Sequence, residues 1–339
     1  AAPLCQTRRS ALLRRSRTWL APALTALIVL TGCATRPGPE ALLPVANLPD
    51  RSANLTVLTA TNRALATTNP PSYGSERSTM SYESYDLRVA LPSAKANALT
   101  EPDIKVVERH RFGRLAFLQQ LRAQQRGRDD TIILFVHGYN NTYQEAIIRL
   151  AGIAAESDIN AVPVVFSWPS AASVTGYVAD RDSSAFARDD LTALLIDLAA
   201  TSPNSDVMVM GHSMGSWLVM EALRELRQTG RDDVISHLQV GLASPDIDLD
   251  VFRKQINDVG RLTPPLTVLV SPDDRALAAS ARVSGGKPRL GAVRVDDPQM
   301  RALAEQAGVR LIDISALPAS GRANHDRFLA LATLRSPVT

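Results

Sequence analysis

Cysteine is nearly absent from this sequence of 339 residues, which contains only Cys5 and Cys33. Both lie within or at the end of an arginine-rich amino-terminal segment, so no disulfide is expected in the rest of the chain. Spacings typical of metal ligands and of internal repeats are missing as well. These absences argue against a disulfide scaffold or a repeat array, and no metal or cofactor is predicted.

Acidic residues are absent from residues 1–32, which hold five arginines. Removing those five positive charges turns the formal net charge of +3 into −2. The basic excess is therefore a property of this leader, and the remaining sequence has no clustered basic footprint for nucleic acid. No nucleic-acid partner is predicted.

The apolar run from Trp19 to Leu30 is too short to cross a bilayer comfortably as a helix. It follows the arginines and leads into Leu30-Thr31-Gly32-Cys33, an order typical of a secretory signal. These four residues resemble the lipobox of bacterial lipoproteins, in which the signal is cut before the cysteine and that cysteine is lipidated. An ordinary signal, with Cys33 there by chance, is the alternative.

The lipobox resemblance implies a signal peptide over residues 1–32 and a mature protein that starts at a lipid-anchored Cys33, with the membrane as its partner. Ala34 follows the cysteine, rather than the aspartate associated with inner-membrane retention. The expected location is therefore the cell envelope, at the outer membrane and facing the periplasm. Four prolines without a helical or strand period predict a tether over residues 33–50, followed by a folded domain over residues 51–339.

Residues 206–215, Asp-Val-Met-Val-Met-Gly-His-Ser-Met-Gly, join a short apolar run to Gly-x-Ser-x-Gly. Apolar residues then recur at helical spacing, at Leu218, Val219, Ala222 and Leu226. The pattern predicts a strand, a tight turn and a helix, with Ser213 at the tip of the turn as a nucleophile. The backbone amide of Met214 would then point at an oxyanion formed on a carbonyl that Ser213 attacks.

From Thr131 onward, apolar runs alternate with helical patterns. Besides the run before Ser213, the predicted strands cover residues 132–136, 162–167, 238–242, 266–270 and 309–314. Two earlier strands are expected at residues 55–60 and 87–91, so the serine follows the fifth strand. The alternation predicts an α/β fold with a mostly parallel sheet and helices on both faces. Together with the serine turn, it indicates the α/β-hydrolase fold.

Histidine is scarce, and of the five only His325 lies beyond both Ser213 and the last predicted strand. A triad in this fold runs serine, acid, histidine along the chain, so His325 is the candidate general base. The acid is expected after residues 266–270, where Asp273 and Asp274 both fit. The fallback acids, after the preceding strand, are Asp246 and Asp248. Alternatively, the paired aspartates only form a turn and the histidine lies free in a polar tail.

A second oxyanion donor is expected in His137-Gly138-Tyr139-Asn140, directly after residues 132–136. The glycine allows a close approach, and the amide of Tyr139, or alternatively that of Asn140, would complete the oxyanion hole with Met214. His137 is expected to be structural. Asn141 with Gln144 fits the N-cap of the following helix.

Walls of the substrate pocket are predicted at Tyr139, Trp168, Asp180 and Arg181. Residues 243–264, only about twenty in number, separate two strands where this fold usually carries a lid, and they also supply a helix near residues 250–256. No large cap is therefore expected. The predicted substrates are small esters with short to medium acyl chains.

Several motifs together resemble a family of bacterial α/β-hydrolases, the domain of unknown function 900, whose members are described as esterases or lipases. They are Thr61-Asn62-Arg63, residues 73–77, Phe135 to Asn140, Phe166 to Ser170, Asp180-Arg181, Gly211 to Gly215, Asp274 to Leu277 and His325. The resemblance covers residues 50–335 and implies that Asp274, rather than Asp273, is the acid. Two departures are Glu83, where a glycine is expected, and Asp-Arg-Phe after His325, where an aromatic residue is more usual.

The sequence therefore predicts a lipid-anchored serine hydrolase that cleaves carboxylic esters through an acyl-enzyme, using Ser213, Asp274 and His325. Amide, thioester or peptide cleavage by the same triad is the first alternative. A non-catalytic lipoprotein that binds an envelope partner through the same fold is the second. The complete set of catalytic residues favours the enzyme, and no oligomeric state is predicted.

Overall fold

The computed structural model describes residues 36–49, 51–90, 103–126, 131–157, 160–202 and 206–333. The predicted signal peptide and Cys33 lie outside these ranges. Among the helices within them, none is both long enough and apolar enough to cross a bilayer.

One sheet of nine strands organises the described part of the chain. The strands are β1 Ser52–Ala66, β2 Ser72–Ala90, β3 Ile104–Phe112, β4 Ile132–Val136, β5 Val162–Ser167, β6 Val207–His212, β7 Leu238–Ala243, β8 Leu266–Val270 and β9 Val309–Asp313. The helices are α1 Arg114–Gln125, α2 Tyr143–Glu156, α3 Tyr177–Phe186, α4 Arg188–Thr201, α5 Met214–Gln228, α6 Asp232–Ile235, α7 Leu249–Val259, α8 Arg275–Val283 and α9 Pro298–Ala307. Short 3-10 helices cover Pro39–Leu42, Leu290–Ala292 and Arg327–Thr333.

The strand order across the sheet is β3-β2-β1-β5-β4-β6-β7-β8-β9. Pairing is parallel from β1 through to β9, whereas β2 pairs antiparallel with both β1 and β3. The predicted mostly parallel sheet is therefore confirmed. Because parallel strands end at the same edge of a sheet, the turns after β4, β5, β6 and β8 meet there.

Strand β3 is missing from the sequence-based prediction. It lies at the edge of the sheet, and of its nine residues only Val106 is buried, so it contains no apolar run. Its presence makes Ser213 follow the sixth strand and not the fifth. Strands β1 and β2 also extend well beyond the predicted residues 55–60 and 87–91.

Alternate residues of the central strands face opposite sides of the sheet. Ile132 and Leu134 of β4 belong to the core beneath α4 and α5, whereas Ile133 and Phe135 belong to the core beneath α2. Burial on both faces explains why these strands read as continuous apolar runs. The prediction of helices on both faces is confirmed.

The amino terminus of α2 lies one residue later than the sequence pattern indicates. Thr142 is the N-cap: its hydroxyl accepts the Glu145 amide at 3.2 Å, and the Glu145 carboxylate accepts the Thr142 amide at 2.7 Å. The predicted pair, Asn141 and Gln144, has the same spacing, but Asn141 donates instead to the carbonyl of Tyr139 at 2.8 Å. Two overlapping capping boxes were possible, and the loop after β4 selects the second.

The connection from β7 to β8 contains a single helix, α7, which includes the helix expected near residues 250–256. Every residue of this connection is described, and it carries no further helix or strand. The structure therefore agrees with the expectation that no large cap is inserted at this point.

The described end of the predicted tether, residues 36–49, lies against the domain. Leu42 is buried in the core beneath α2, and the amide of Val45 donates to the carbonyl of Val106 at 3.0 Å. Arg36 donates to the carboxylate of Glu145 at 2.9 Å and also to the carbonyl of Asn140. The proline-rich composition predicts an unstructured linker here. The observed contacts depend on individual side chains, which composition does not describe.

Candidate active site

Ser213 forms the turn between β6 and α5. Its backbone has φ 52° and ψ −119°, a strained conformation for a residue with a side chain. The Ser213 amide donates to the carbonyl of Ala243 at 2.9 Å, and the Ser213 carbonyl accepts the amide of Asp246 at 3.2 Å. Only 5% of the residue is exposed, so the side chain lies almost wholly below the protein surface.

The two glycines of Gly-x-Ser-x-Gly lie where the turn packs most closely. A Cβ atom on Gly215 would lie 2.4 Å from the carbonyl oxygens of Val136 and His137, and one on Gly211 would lie 2.8 Å from the Cα of Ser216. Such distances exclude a side chain at either position. The motif is therefore a packing requirement of the turn after β6 against the end of β4.

His325 and Asp274 lie together at the same edge of the sheet. The Nδ1 atom of His325 is 2.7 Å from Oδ2 of Asp274, whose side chain is fully buried, while the imidazole is one-fifth exposed. The other carboxylate oxygen of Asp274 accepts the amide of Leu277 and caps α8. An Nδ1–H bond to the carboxylate fixes the tautomer in which Nε2 accepts a proton.

Within the described residues, the hydroxyl of Ser213 makes no hydrogen bond of 3.5 Å or less, including to His325. Catalytic hydrogen bonds commonly tighten only when the substrate is bound. The structure thus shows the His325–Asp274 pair formed and Ser213, the candidate nucleophile, on its turn.

Asp273, the other predicted acid, faces away from His325. Its carboxylate accepts both terminal nitrogens of Arg327, at 2.7 and 2.8 Å, and the side-chain amide of Asn324 at 2.9 Å. It therefore braces the loop on either side of His325. Arg327 belongs to the Asp-Arg-Phe sequence that follows His325, where the resembled family more often has an aromatic residue. The difference from the family pattern therefore supplies a contact that holds this loop.

The fallback acids are engaged elsewhere. Asp246 accepts the hydroxyls of Tyr177 at 2.9 Å and Ser280 at 2.6 Å, and Asp248 caps α7. Neither carboxylate bonds to His325 in the part of the chain that the structure describes. Of the four candidate acids, only Asp274 contacts the imidazole.

The loop after β4 approaches Ser213 closely. A Cβ atom on Gly138 would lie 2.9 Å from the Cβ of Ser213. The amide of Asn140 already donates to Asp180 at 3.0 Å, whereas the amide of Tyr139 donates to no described group. Met214 occupies the first position of α5, where an amide has no partner within the helix. The amides of Tyr139 and Met214, the predicted oxyanion donors, thus have no partner among the described groups.

We expect Gly138→Ala to lower kcat/KM about a hundredfold, because the added methyl group must push the oxyanion loop or Ser213 out of position. Steady-state kinetics on a chromogenic ester checks this. Gly74→Ala is the matched control, since a Cβ at Gly74 has nothing within 4 Å. Equal activity of the two variants would show that the approach of this loop does not matter.

Two of the predicted wall residues lie behind this loop. Trp168 has no exposed surface, stacks on the His137 ring at 4.8 Å and donates to the His137 carbonyl at 2.8 Å. Asp180 is also fully buried and accepts the amide of Asn140 and the hydroxyl of Ser170, the latter at 2.6 Å. Burial places both side chains in the support of the oxyanion loop, not on a surface that a substrate can touch.

Arg63 also supports the loop after β4, although its position in the sequence predicts no role for it. Its buried guanidinium donates to the carbonyls of Asn141 at 2.9 Å and Ser170 at 3.0 Å, and to the hydroxyl of Ser167 at 2.9 Å. Burial lowers the pKa of Arg63 to about 9. Its position in Thr61-Asn62-Arg63, a motif shared with the resembled family, was the available signal.

The other predicted wall residues, Tyr139 and Arg181, keep partly exposed side chains. The Tyr139 hydroxyl donates to the carbonyl of Val174, and its ring lies 5.4 Å from that of Tyr177. Arg181 lies over the ring of Trp217. Tyr177 belongs to the segment 176–181 that the sequence predicts as a wall, whereas Trp217 was not predicted, because the face of a helix that points to the site depends on packing.

Two buried histidines flank the candidate site. Burial and the neighbouring Arg63 charge lower the pKa of His137 to about 3, and burial with the His325 charge holds that of His212 well below its usual value. Both rings are therefore neutral. The Nε2 atom of His212 lies 3.3 Å from the carbonyl of His325, so His212 positions the backbone of the candidate base.

Acidification is expected to destabilise the fold through these two histidines. Their folded pKa values lie below the unfolded value, so their contribution is complete above about pH 6.5 and is lost as the pH falls. The free energy of unfolding should drop by roughly 2 kcal/mol between pH 7 and pH 5 through His137, and further through His212. Urea denaturation at both pH values measures this, with His137→Gln flattening the dependence and the exposed His110→Gln leaving it unchanged. A pH-independent stability would contradict the assignment.

Strand pairing also brings Asp86, Glu108 and His110 together, with one potential ligand atom of each within 4.8 Å of the others. The sequence shows no metal spacing here. Asp86 accepts the Thr56 hydroxyl at 2.6 Å, and His110 lies 3.0 Å from Glu108. Since these side chains are largely exposed and bond to one another, no metal role is assigned to them.

Residues 114–338 match the family described as alpha/beta hydrolase of unknown function (DUF900). The match includes Ser213, Asp274 and His325 and begins after the strands that carry Thr61-Asn62-Arg63. A crystal structure described as "Putative hydrolase from Agrobacterium vitis S4" is 12% identical, with 85% of this chain and 100% of that chain covered and a TM-score of 0.34. No curated protein matches the chain.

Proposed function

Since the chain belongs to this family of alpha/beta hydrolases of unknown function, we propose that it cleaves carboxylic esters through an acyl-enzyme formed on Ser213. The hydrolase class follows from the family and the nine-stranded sheet. The observation that supports the finer proposal is the His325–Asp274 pair, formed at 2.7 Å at the edge of the sheet where Ser213 occupies its strained turn.

In the proposed mechanism, Oγ of Ser213 attacks the ester carbonyl while Nε2 of His325 takes its proton. The amides of Tyr139 and Met214 stabilise the resulting oxyanion. His325 then gives the proton to the departing alcohol, and the ester C–O bond breaks. Water, activated by His325, releases the acid from Ser213. Asp274 stabilises the imidazolium without accepting its proton.

Labelling by a fluorophosphonate probe, followed by turnover of p-nitrophenyl esters of increasing chain length, tests the proposal. We expect activity to peak at short to medium acyl chains, because the β7–β8 connection holds only α7 and no large cap encloses a long chain. A steady rise from butyrate to palmitate, with a further jump above the solubility limit, would instead indicate a lipase.

The lipid anchor is proposed on the lipobox resemblance alone, since Cys33 lies outside the described residues. Two acyl chains suffice for stable anchoring, so Cys33→Ser should release the protein from the membrane fraction. Intact-mass measurement of the native protein checks this directly. An unmodified Cys33 would refute the anchor and leave the proposed hydrolase untouched.

A further inference from the structure

Arg181 of α3 lies over an aromatic ring close to the nucleophile. Its guanidinium carbon is 4.0 Å from the centre of the Trp217 ring. Helix α5 begins directly after Ser213, and Trp217 is its fourth residue. Four residues of helix rise by only about 6 Å. The residue whose ring holds the guanidinium therefore lies about one helical turn along α5 from Ser213.

The donors of this guanidinium are unused. Within the described residues, Arg181 forms no ion pair and its guanidinium donates no hydrogen bond. Stacking on Trp217 occupies only the face of the planar group and leaves its five N–H donors free in the plane. Partial burial lowers the pKa of Arg181. A guanidinium that is held in place with its donors free can bind an anion without giving up a protein partner.

The carboxylates near Arg181 already have other partners. Arg289 is buried 3.2 Å from Asp246, and the oxygens of Asp246 also accept the hydroxyls of Tyr177 and Ser280. Asp246 is thus already paired, although it lies near enough to raise the pKa of Arg181. Its amide donates to the carbonyl of Ser213, so the whole group adjoins the nucleophile.

The neighbouring acid on α5, Glu221, is engaged as well. It accepts Gln255 at 2.7 Å and Arg224 at 3.1 Å. Asp246 is paired with Arg289, and Glu221 shares Arg224 with Asp258. In the described structure neither Asp246 nor Glu221 accepts a hydrogen bond from the Arg181 guanidinium.

We propose that Arg181 binds an anionic group, a carboxylate or a phosphate, that the ester substrate carries. The inference rests on the proposed function and narrows its substrate to anionic esters. The planar fork of a guanidinium matches two oxygens of such a group, and the Trp217 ring holds that fork in place. The anion lies on the acyl or on the alcohol part of the ester, and the test distinguishes the two.

Arg77 provides the matched control, because its guanidinium also lies over an aromatic ring but donates to a side chain of α3. Its guanidinium lies 5.2 Å from the centre of the Phe186 ring, at the far end of α3, and donates to the hydroxyl of Ser183. Arg77→Met therefore removes a cation–π contact to α3 but no anion site.

The experiment compares kcat/KM for pairs of esters that differ in one anionic group. The first pair, p-nitrophenyl hexanoate and mono-p-nitrophenyl adipate, carries the charge on the acyl part. The second, phenyl acetate and phenyl acetate with a para phosphate, carries it on the alcohol part. We expect wild type to favour the anionic ester of one pair about 10- to 100-fold, as one or two charge-assisted hydrogen bonds predict.

Arg181→Met should bring that preference to about one, Arg181→Lys should keep part of it, and Arg77→Met should leave it intact. A preference partly kept by Arg181→Lys, together with unchanged melting temperatures of both Arg181 variants, shows that the lost preference does not come from misfolding. If neutral esters are hydrolysed and Arg181→Met keeps the wild-type ratio, or wild type shows no preference, the anion site is wrong while the esterase stands.

If wild type hydrolyses no ester at all and takes no fluorophosphonate label, the proposed function fails. Calorimetric titration with adipate then decides the anion site on its own. Binding to wild type and Arg77→Met, at least tenfold weaker in Arg181→Met, supports the site. Absence of binding to wild type, or equal binding to all three proteins, overturns it.

Discussion

Ser213→Ala is expected to abolish ester turnover, with a loss of about a millionfold in kcat. The variant lacks the atom that forms the acyl-enzyme, and the nearest other serine, Ser216, is fully buried with its hydroxyl donated to the carbonyl of Gly211. The fold should survive, because the Ser213 side chain caps no amide of α5 and its hydroxyl makes no hydrogen bond in the described structure. Kinetics on a p-nitrophenyl ester and a thermal melt together measure both effects.

Ser216→Ala is the matched control for this loss. Ser216 is a buried serine of the same turn, and its hydroxyl donates to the carbonyl of Gly211 at 2.8 Å. Its removal should cost about 1 kcal/mol of stability and spare the chemistry. A Ser213→Ala protein that still turned over esters at a rate near wild type would place the nucleophile elsewhere.

Asp274→Asn is expected to lower kcat by about 10³- to 10⁴-fold, because an amide cannot hold the His325 tautomer that presents Nε2 as a base. The fold should again persist, since asparagine caps a helix about as well as aspartate and Asp274 is the N-cap of α8. Asp273→Asn should cost about tenfold or less, through a looser contact to Arg327. Steady-state kinetics of the two variants side by side distinguishes the acids.

A larger loss in Asp273→Asn than in Asp274→Asn would reverse the assignment of the acid. The dependence of kcat on pH offers a second check. Loss of a residue that only holds the loop should lower kcat equally at every pH, whereas loss of the acid that contacts His325 should change the shape of the pH profile.

The turn around Ser213 was predictable because several local rules agree there. An apolar strand, two glycines and an amphipathic helix each follow from short-range sequence, and the structure places them as expected. The order of catalytic groups along the chain then singled out His325. It left Asp273 and Asp274 equivalent, since adjacent residues differ only in the direction of their side chains, which the packing of α8 decides.

Other features depend on contacts between distant segments and were missed or misplaced. β3 is a strand only because it pairs with β2, and its exposed side chains alternate without an apolar run. Trp168 and Asp180 follow the end of β5 as substrate walls would, yet they turn inward to hold the oxyanion loop. The position of these residues in the sequence predicts the correct edge of the sheet. Packing alone decides whether a residue there lines the pocket or supports the loop behind it.

The adduct left by a fluorophosphonate probe tests the role of Ser213 most directly. After labelling of the intact wild-type protein, peptide mass spectrometry should place a single adduct on Ser213, and His325→Ala should label far more slowly because the hydroxyl has lost its base. An adduct on another residue, or no adduct at all under conditions that label a known serine esterase, would contradict the proposed mechanism.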